Sequence, residues 1–236
     1  MPDMLASKIK QLEQADKSGE NEQSQRELIS DILSYIEQSE GTVQEFNDFE
    51  AMQNAEKLCM ERLRKLNNRS EAEAQTCNFY SCDLHELLES VSLCADILLA
   101  DNDYNLRFSG KKLVCSLNPD YIIDAFLNLI SNSVKFGRTG DVKATLSKTD
   151  NQAVIKVENE AFFNEPVSFH EGLQSVRNIC FLHSGRLLFS KTGDRFSAVM
   201  SIDLNLPNGE SFAPPAFSHF LADRYSPVYI GLSEVL

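Results

Sequence analysis

Hydrophobic positions along the chain follow helical spacing first and alternate every second residue later. Through the first 75 residues they recur every three or four positions: Leu5, Ile9 and Leu12, then Leu28, Ile29, Ile32, Leu33 and Ile36. A third stripe runs through Phe46, Phe49, Met52, Cys59, Leu63 and Leu66, with Gly41 between the second and third. This spacing predicts two substantial helices forming a hairpin, with a short helix before them. Two helices bury little surface alone, so pairing with a second copy into a four-helix bundle is expected.

Asp83-Leu84-His85-Glu86 reads as a capping box: Asp83 accepts from a first-turn N–H and Glu86 reaches back. The helix that follows turns Leu84, Leu87, Leu88, Val91, Ala95 and Leu98 inward. Tyr104–Phe108 and Leu113–Leu117 read as short strands. Asn118-Pro119 opens the next helix, with Asn as the cap and Pro in the first turn. Its inward face carries Ile122, Ala125, Phe126, Leu129, Ile130 and Ser133.

After Gly140 the period becomes two. Val142, Ala144 and Leu146 alternate, as do Ala153, Ile155 and Val157, then Leu187 and Phe189, then Phe196, Ala198, Met200, Ile202 and Leu204. Thr192-Gly193-Asp194 marks a turn. A helix from about Gly172 to His183 separates the two hairpins. Clustered strands alternating with long helices predict an α+β fold, a two-layer sandwich of one mixed sheet with helices on one face. Residues 1–80 form the helical hairpin, 81–206 the sandwich, and 207–236 a tail. The tail is broken at Pro214-Pro215, yet Val228, Tyr229, Ile230 and Leu232 make it too apolar to float free. It is expected to dock on its own domain or to add a strand to a sheet edge.

Composition narrows the partners. The formal net charge is −13, which argues against unspecific nucleic-acid binding, because phosphate contacts need clustered Lys and Arg. No apolar run approaches the ~18–20 residues that span a bilayer, and the N-terminus lacks signal-peptide order, so a cytoplasmic protein is expected. The six cysteines form no CxxC pair and no zinc-ligand spacing. They read as reduced structural thiols.

The run Asn128-Leu129-Ile130-Ser131-Asn132-Ser133-Val134-Lys135-Phe136 carries the candidate chemistry. Asn128 and Asn132 are four apart and share a helix face. An amide oxygen suits a magnesium ion held mainly by phosphates. Lys135 can meet a phosphate as a point charge, and Phe136 can cover a base. This run resembles the N box of the GHKL (Bergerat-fold) ATPase superfamily, and in particular of sensor histidine kinases. Cys82–Leu88 resembles the entry to that ATP-binding domain. Arg177–Leu187, reading RNICFLHSGRL, resembles the helix and turn that end its nucleotide site. The resemblance implies a histidine-kinase ATPase-type sandwich in which Asn132 holds magnesium whenever nucleotide binds. It implies that Asn128, Lys135, Phe136, Asn159, Gly172 and Leu173 complete a vestigial nucleotide site. His183 reads as a structural residue at the helix end, with Gly185 supplying a left-handed turn after it.

The pattern also departs from the family. The D-x-G-x-G box is replaced by Asn159-Glu160-Ala161-Phe162-Phe163. Asn159 can still accept from an exocyclic amine, but Ala161 and Phe163 replace glycines that let backbone approach the base. Phe163 is expected to fill the adenine space. Of the second glycine box only Gly172-Leu173 survives, with His170 in place of the first glycine, at a helix start that would normally cradle phosphates. Only eight residues separate Phe163 from Gly172, too few for the family's mobile lid. Residues 1–75 contain no histidine, so the usual phospho-acceptor is missing there. No P-loop, H-E-x-x-H, G-x-S-x-G or EF-hand pattern is present, and no catalytic dyad is assigned.

These readings converge on a non-catalytic histidine-kinase-like protein. It would be an adaptor or regulator of two-component signalling, homodimeric through its N-terminal helices, with a response regulator or kinase as partner. Its cofactor would be none or weakly held Mg-ATP or Mg-ADP. The alternatives are a nucleotide-binding switch and a kinase acting in trans.

Overall fold

The computed structural model describes residues 2–18, 21–39, 46–161, 170–207 and 209–236. It divides into two compact units, Met1–Leu66 and Asn67–Leu236.

The first unit is helical. Helices α1 (Pro2–Ser18), α2 (Glu22–Ser39) and α3 (Phe46–Glu73) follow the three stripes, but α1 is nearly as long as α2 rather than a short preface. Leu5, Leu12, Ile29, Ile32, Ile36, Met52, Cys59 and Leu66 are buried. Lys8 pairs with Asp31 across α1 and α2 at 3.1 Å. Between α2 and α3, the buried Gln25 Oε1 accepts from Arg62 Nε and Nη2 at 3.0 and 2.6 Å. A shared buried amide oxygen of this kind fixes which helix faces meet. Gly41 lies outside the described residues.

The last two turns of α3, from Asn67, belong to the second unit. There β1 (Tyr80–Asp83) leads into α4 (Leu84–Leu99), and β2 (Asn105–Ser109) and β3 (Val114–Leu117) precede α5 (Pro119–Phe136). The long hairpin β4 (Gly137–Thr149) and β5 (Gln152–Ala161) follows, then α6 (Glu171–Leu182) and the hairpin β6 (Leu187–Thr192) and β7 (Arg195–Asp203). Both expected caps form: Asp83 Oδ1 accepts from the His85 and Glu86 amides, and Asn118 Oδ1 from the Tyr121 amide. Gly193, at φ +62°, makes the β6–β7 turn.

The expected single sheet is in fact two. Five strands run in the order β2-β4-β5-β7-β6, and a separate three-stranded sheet has the order β3-β1-β8. Sequence reading missed β1, whose four residues carry no alternation of their own, and so assigned β3 to the main sheet. The strand in the tail lies upstream of the apolar segment from Tyr225, which is helical instead. Strand β8 (Ser211–Phe212) pairs in parallel with β1, while α7 (Phe217–Ala222) and α8 (Pro227–Leu232) contribute Phe220, Val228 and Leu232 to the core. That core is built from α4, α5 and α6 on one face of the larger sheet. Val142, Ala144, Ile155, Val157, Met200 and Ile202 point into it from alternate strand positions.

Candidate functional site

Helix α5 carries four of the sequence-predicted residues. Apolar side chains hold its inner face down, with Ile122, Phe126 and Ile130 fully buried, and this fixes where the polar positions emerge. Asn128 is buried and donates from Nδ2 to Asn68 Oδ1 at 2.7 Å, so its carboxamide is engaged by the end of α3. Its Oδ1 lies against Gly172 at the start of α6, where an added Cβ would stand 2.8 Å away. Gly172 thus serves close approach between two helices. Leu173, beside it, is a core residue.

The end of α3 is fastened to α6 as well. Ser175 Oγ donates to Glu71 Oε2 at 2.5 Å. Asn178 Nδ2 donates to the carbonyls of Glu71 and Ala74 at 2.7 and 2.8 Å. Arg69 lies 3.6 Å from Glu171. The role of Asn68, Glu71 and Ser175 was not visible in the sequence, because no local pattern links residues 60 or 104 positions apart.

Asn132, one turn beyond Asn128, is half-buried, and its carboxamide makes no hydrogen bond to any described residue. Lys135 forms an ion pair with Glu234 of the tail, and Phe136 is exposed. Asn159, on β5, is 5% exposed and donates from Nδ2 to Ser133 O at 3.0 Å and Glu160 O at 3.3 Å. Two carbonyl acceptors fix the amide nitrogen, so Oδ1 must point the other way. That oxygen is buried and unpartnered among the described residues. An unsatisfied buried acceptor costs free energy unless a ligand or water meets it. The structure therefore ties Asn159 to the Ser133 carbonyl of α5, next in sequence to Asn132, and turns Asn128 and Lys135 to other partners. Phe162 and Phe163, and with them the predicted filling of the base site and the shortened lid, lie outside the described residues. An open groove of about 490 Å³ lined by Lys156, Glu158, Arg195 and Ser197 opens on the other face of β5 and β7.

The far end of α6 is built as a Schellman motif: the Gly185 amide donates to Cys180 O and the Ser184 amide to Phe181 O. The left-handed residue is Ser184, at φ +53°, and not Gly185 as the sequence suggested. Gly185 is required for a different reason, since an added Cβ would stand 1.7 Å from Ser201 O on β7. His183 is fully buried. Its Nε2 accepts from the Asn118 amide at 3.0 Å, which places the proton on Nδ1 facing Ile179 O at 2.7 Å. Burial lowers its pKa, against the smaller upward pull of the Ile179 carbonyl. A neutral imidazole enclosed in this way is structural. The buried thiols are inert too: desolvation raises Cys59, Cys82, Cys115 and Cys180 to about 12. No cluster of His, Cys, Asp or Glu suited to a metal occurs among the described residues, and none of their helices is long and apolar enough to cross a membrane.

No protein-family profile matches the chain, and no curated protein matches it. Solved structures do. The Acinetobacter baumannii histidine kinase AdeS superposes with a TM-score of 0.57 at 17% identity, covering 75% of this chain and 95% of that one. Full-length ShkA, crystallised in complex with AMPPNP, superposes with a TM-score of 0.62 at 15% identity, covering 82% of this chain and 45% of its own. The chain therefore spans less than half of ShkA. At these identities the likeness is one of architecture: behind an N-terminal helical region, this chain carries the fold of the histidine-kinase ATPase-type domain.

Proposed function

We propose that this protein is a non-catalytic relative of the histidine kinases, acting as an adaptor or regulator in two-component signalling. One observation carries the reading: two polar groups that would serve a nucleotide are engaged within the chain, Asn128 by Asn68 and Lys135 by Glu234. The absence of histidine from residues 1–75 and the loss of glycines at Ala161, Phe163 and His170 support it. The helical unit would supply the partner surface, for a second copy, a response regulator or a kinase. The test is incubation of the purified protein with γ-labelled ATP, with and without a response-regulator receiver domain. No label is expected on either protein, and stoichiometric labelling of this chain would overturn the reading.

A second reading is favoured by the other half of the site. Among the described residues the Asn132 carboxamide makes no hydrogen bond and the buried Asn159 Oδ1 has no donor. These two groups support weak binding of Mg-ATP or Mg-ADP, with nucleotide as a switch and Asn132 as the amide ligand of the ion. Thermal denaturation with millimolar Mg-ADP tests it, because a ligand that binds only the folded state raises its stability in proportion to RT ln(1+[L]/Kd). An unchanged midpoint would remove the idea.

A further inference from the structure

We propose that the C-terminal tail regulates the candidate nucleotide site, with Glu234 acting as a resident anion that withholds Lys135 from an incoming phosphate; this rests on the second reading above. The tail is not a loose appendage. Val228 and Leu232 of α8 are fully buried, and Ser226 Oγ donates to Phe220 O at 2.8 Å, tying α8 back to α7. The backbone of α8 lies directly on α5, for a Cβ at Gly231 would stand 2.8 Å from Leu127 Cδ1 and 2.9 Å from Leu127 Cβ. Leu127 is two turns before Lys135 on the same helix. Beyond Glu234, the carbonyl of Val235 accepts from Asn102 Nδ2 at 2.9 Å. Glu234 is thus held between two anchors, the packed end of α8 and the Asn102 bond, and its carboxylate is delivered to the Lys135 ammonium.

The pairing is chemically apt. A lysine ammonium is a compact point charge that donates to a carboxylate or a phosphate oxygen alike. A carboxylate tethered on the same chain acts at a high effective concentration, which free nucleotide must exceed to displace it. Both side chains are partly shielded, at 33% and 23% exposure, so the pair is less screened than one on the open surface. Once Lys135 is engaged by Glu234, the anionic neighbour also disfavours a polyphosphate nearby. Because the apolar part of the tail is core, the device is a charge exchange at one carboxylate and needs no unfolding of α8.

The experiment compares the full chain with E234Q and with the double variant K135Q/E234Q, using calorimetric titration with Mg-ADP at low ionic strength. Circular dichroism melting confirms that each variant is folded. E234Q keeps the shape of the side chain and removes its charge, and is expected to bind Mg-ADP about five- to tenfold more tightly than the unaltered chain. The gain is expected to vanish in K135Q/E234Q. Equal, measurable affinities in the unaltered chain and E234Q would overturn the tail's role and leave nucleotide binding standing. No binding heat in either would overturn nucleotide binding itself, and the proposal with it.

Discussion

The two ends of α6 meet different fates. At its C-terminal end the turn is intact and every group is engaged: His183 between Asn118 and Ile179, Ser184 left-handed, and Gly185 against Ser201. At its N-terminal end, His170 makes no side-chain cap bond, and Gly172 is pressed on Asn128. The first end holds the helix to the sheet, and any loss there costs the fold. The second end is held by a side-chain contact that a small change can relax. At one end the constraint is backbone against backbone, and at the other it is a glycine against a single side chain.

This contrast can be broken by substitution. Gly185→Ala is expected to be the most damaging change, because its Cβ would overlap a backbone oxygen that cannot step aside. We expect a loss of about 3 kcal/mol or more in urea denaturation, or failure to fold. A mild effect would show that the turn is not the anchor claimed. His183→Ala should cost about 2–3 kcal/mol, since it strands the Asn118 amide and leaves a cavity. His183 also gives a signature in pH. Its folded pKa lies below the ordinary 6.5, so the unfolded chain binds the proton first as pH falls. The stability it contributes is complete above 6.5 and declines as pH falls from there through the folded value. The variant should lose that part of the slope, and an unchanged pH profile would contradict the buried neutral imidazole.

The N-terminal end should be softer. Gly172→Ala is expected to cost about 1–2 kcal/mol, because the atom it meets is a side-chain oxygen, although one held by Asn68. In an Asn128→Ala background most of that cost should disappear, and a double-mutant cycle measures the coupling. Additive costs would mean that Gly172 answers to something other than Asn128. Least affected should be His170→Gly, changing stability by less than about 0.5 kcal/mol. It should leave any Mg-ADP thermal shift where it was, because restoring one glycine does not release Asn128 or Lys135. A clear rise in the shift would show that His170 by itself blocks the phosphates.

The sequence by itself determined most of the longer elements and the α+β class of the fold. Periods of 3.6 and two, the Asp83 and Asn118 caps and the Gly193 turn are local signals, and α2 to α6 and the strands of the larger sheet lie where those signals put them. The run from Asn128 to Phe136 and the helix ending at His183 placed the candidate site on α5, β5 and α6. What it could not determine was the use made of each polar group. Whether an Asn meets a metal or another Asn depends on a partner 60 positions away, and whether a Lys meets a phosphate or a Glu depends on one 99 positions away. Such pairings arise only once α3, the tail and α6 have converged on α5. The same holds for the separate β3-β1-β8 sheet and for the choice of Ser184 over Gly185 as the left-handed residue. Local periodicity reports which face of an element is buried, and tertiary packing alone decides what that face is buried against.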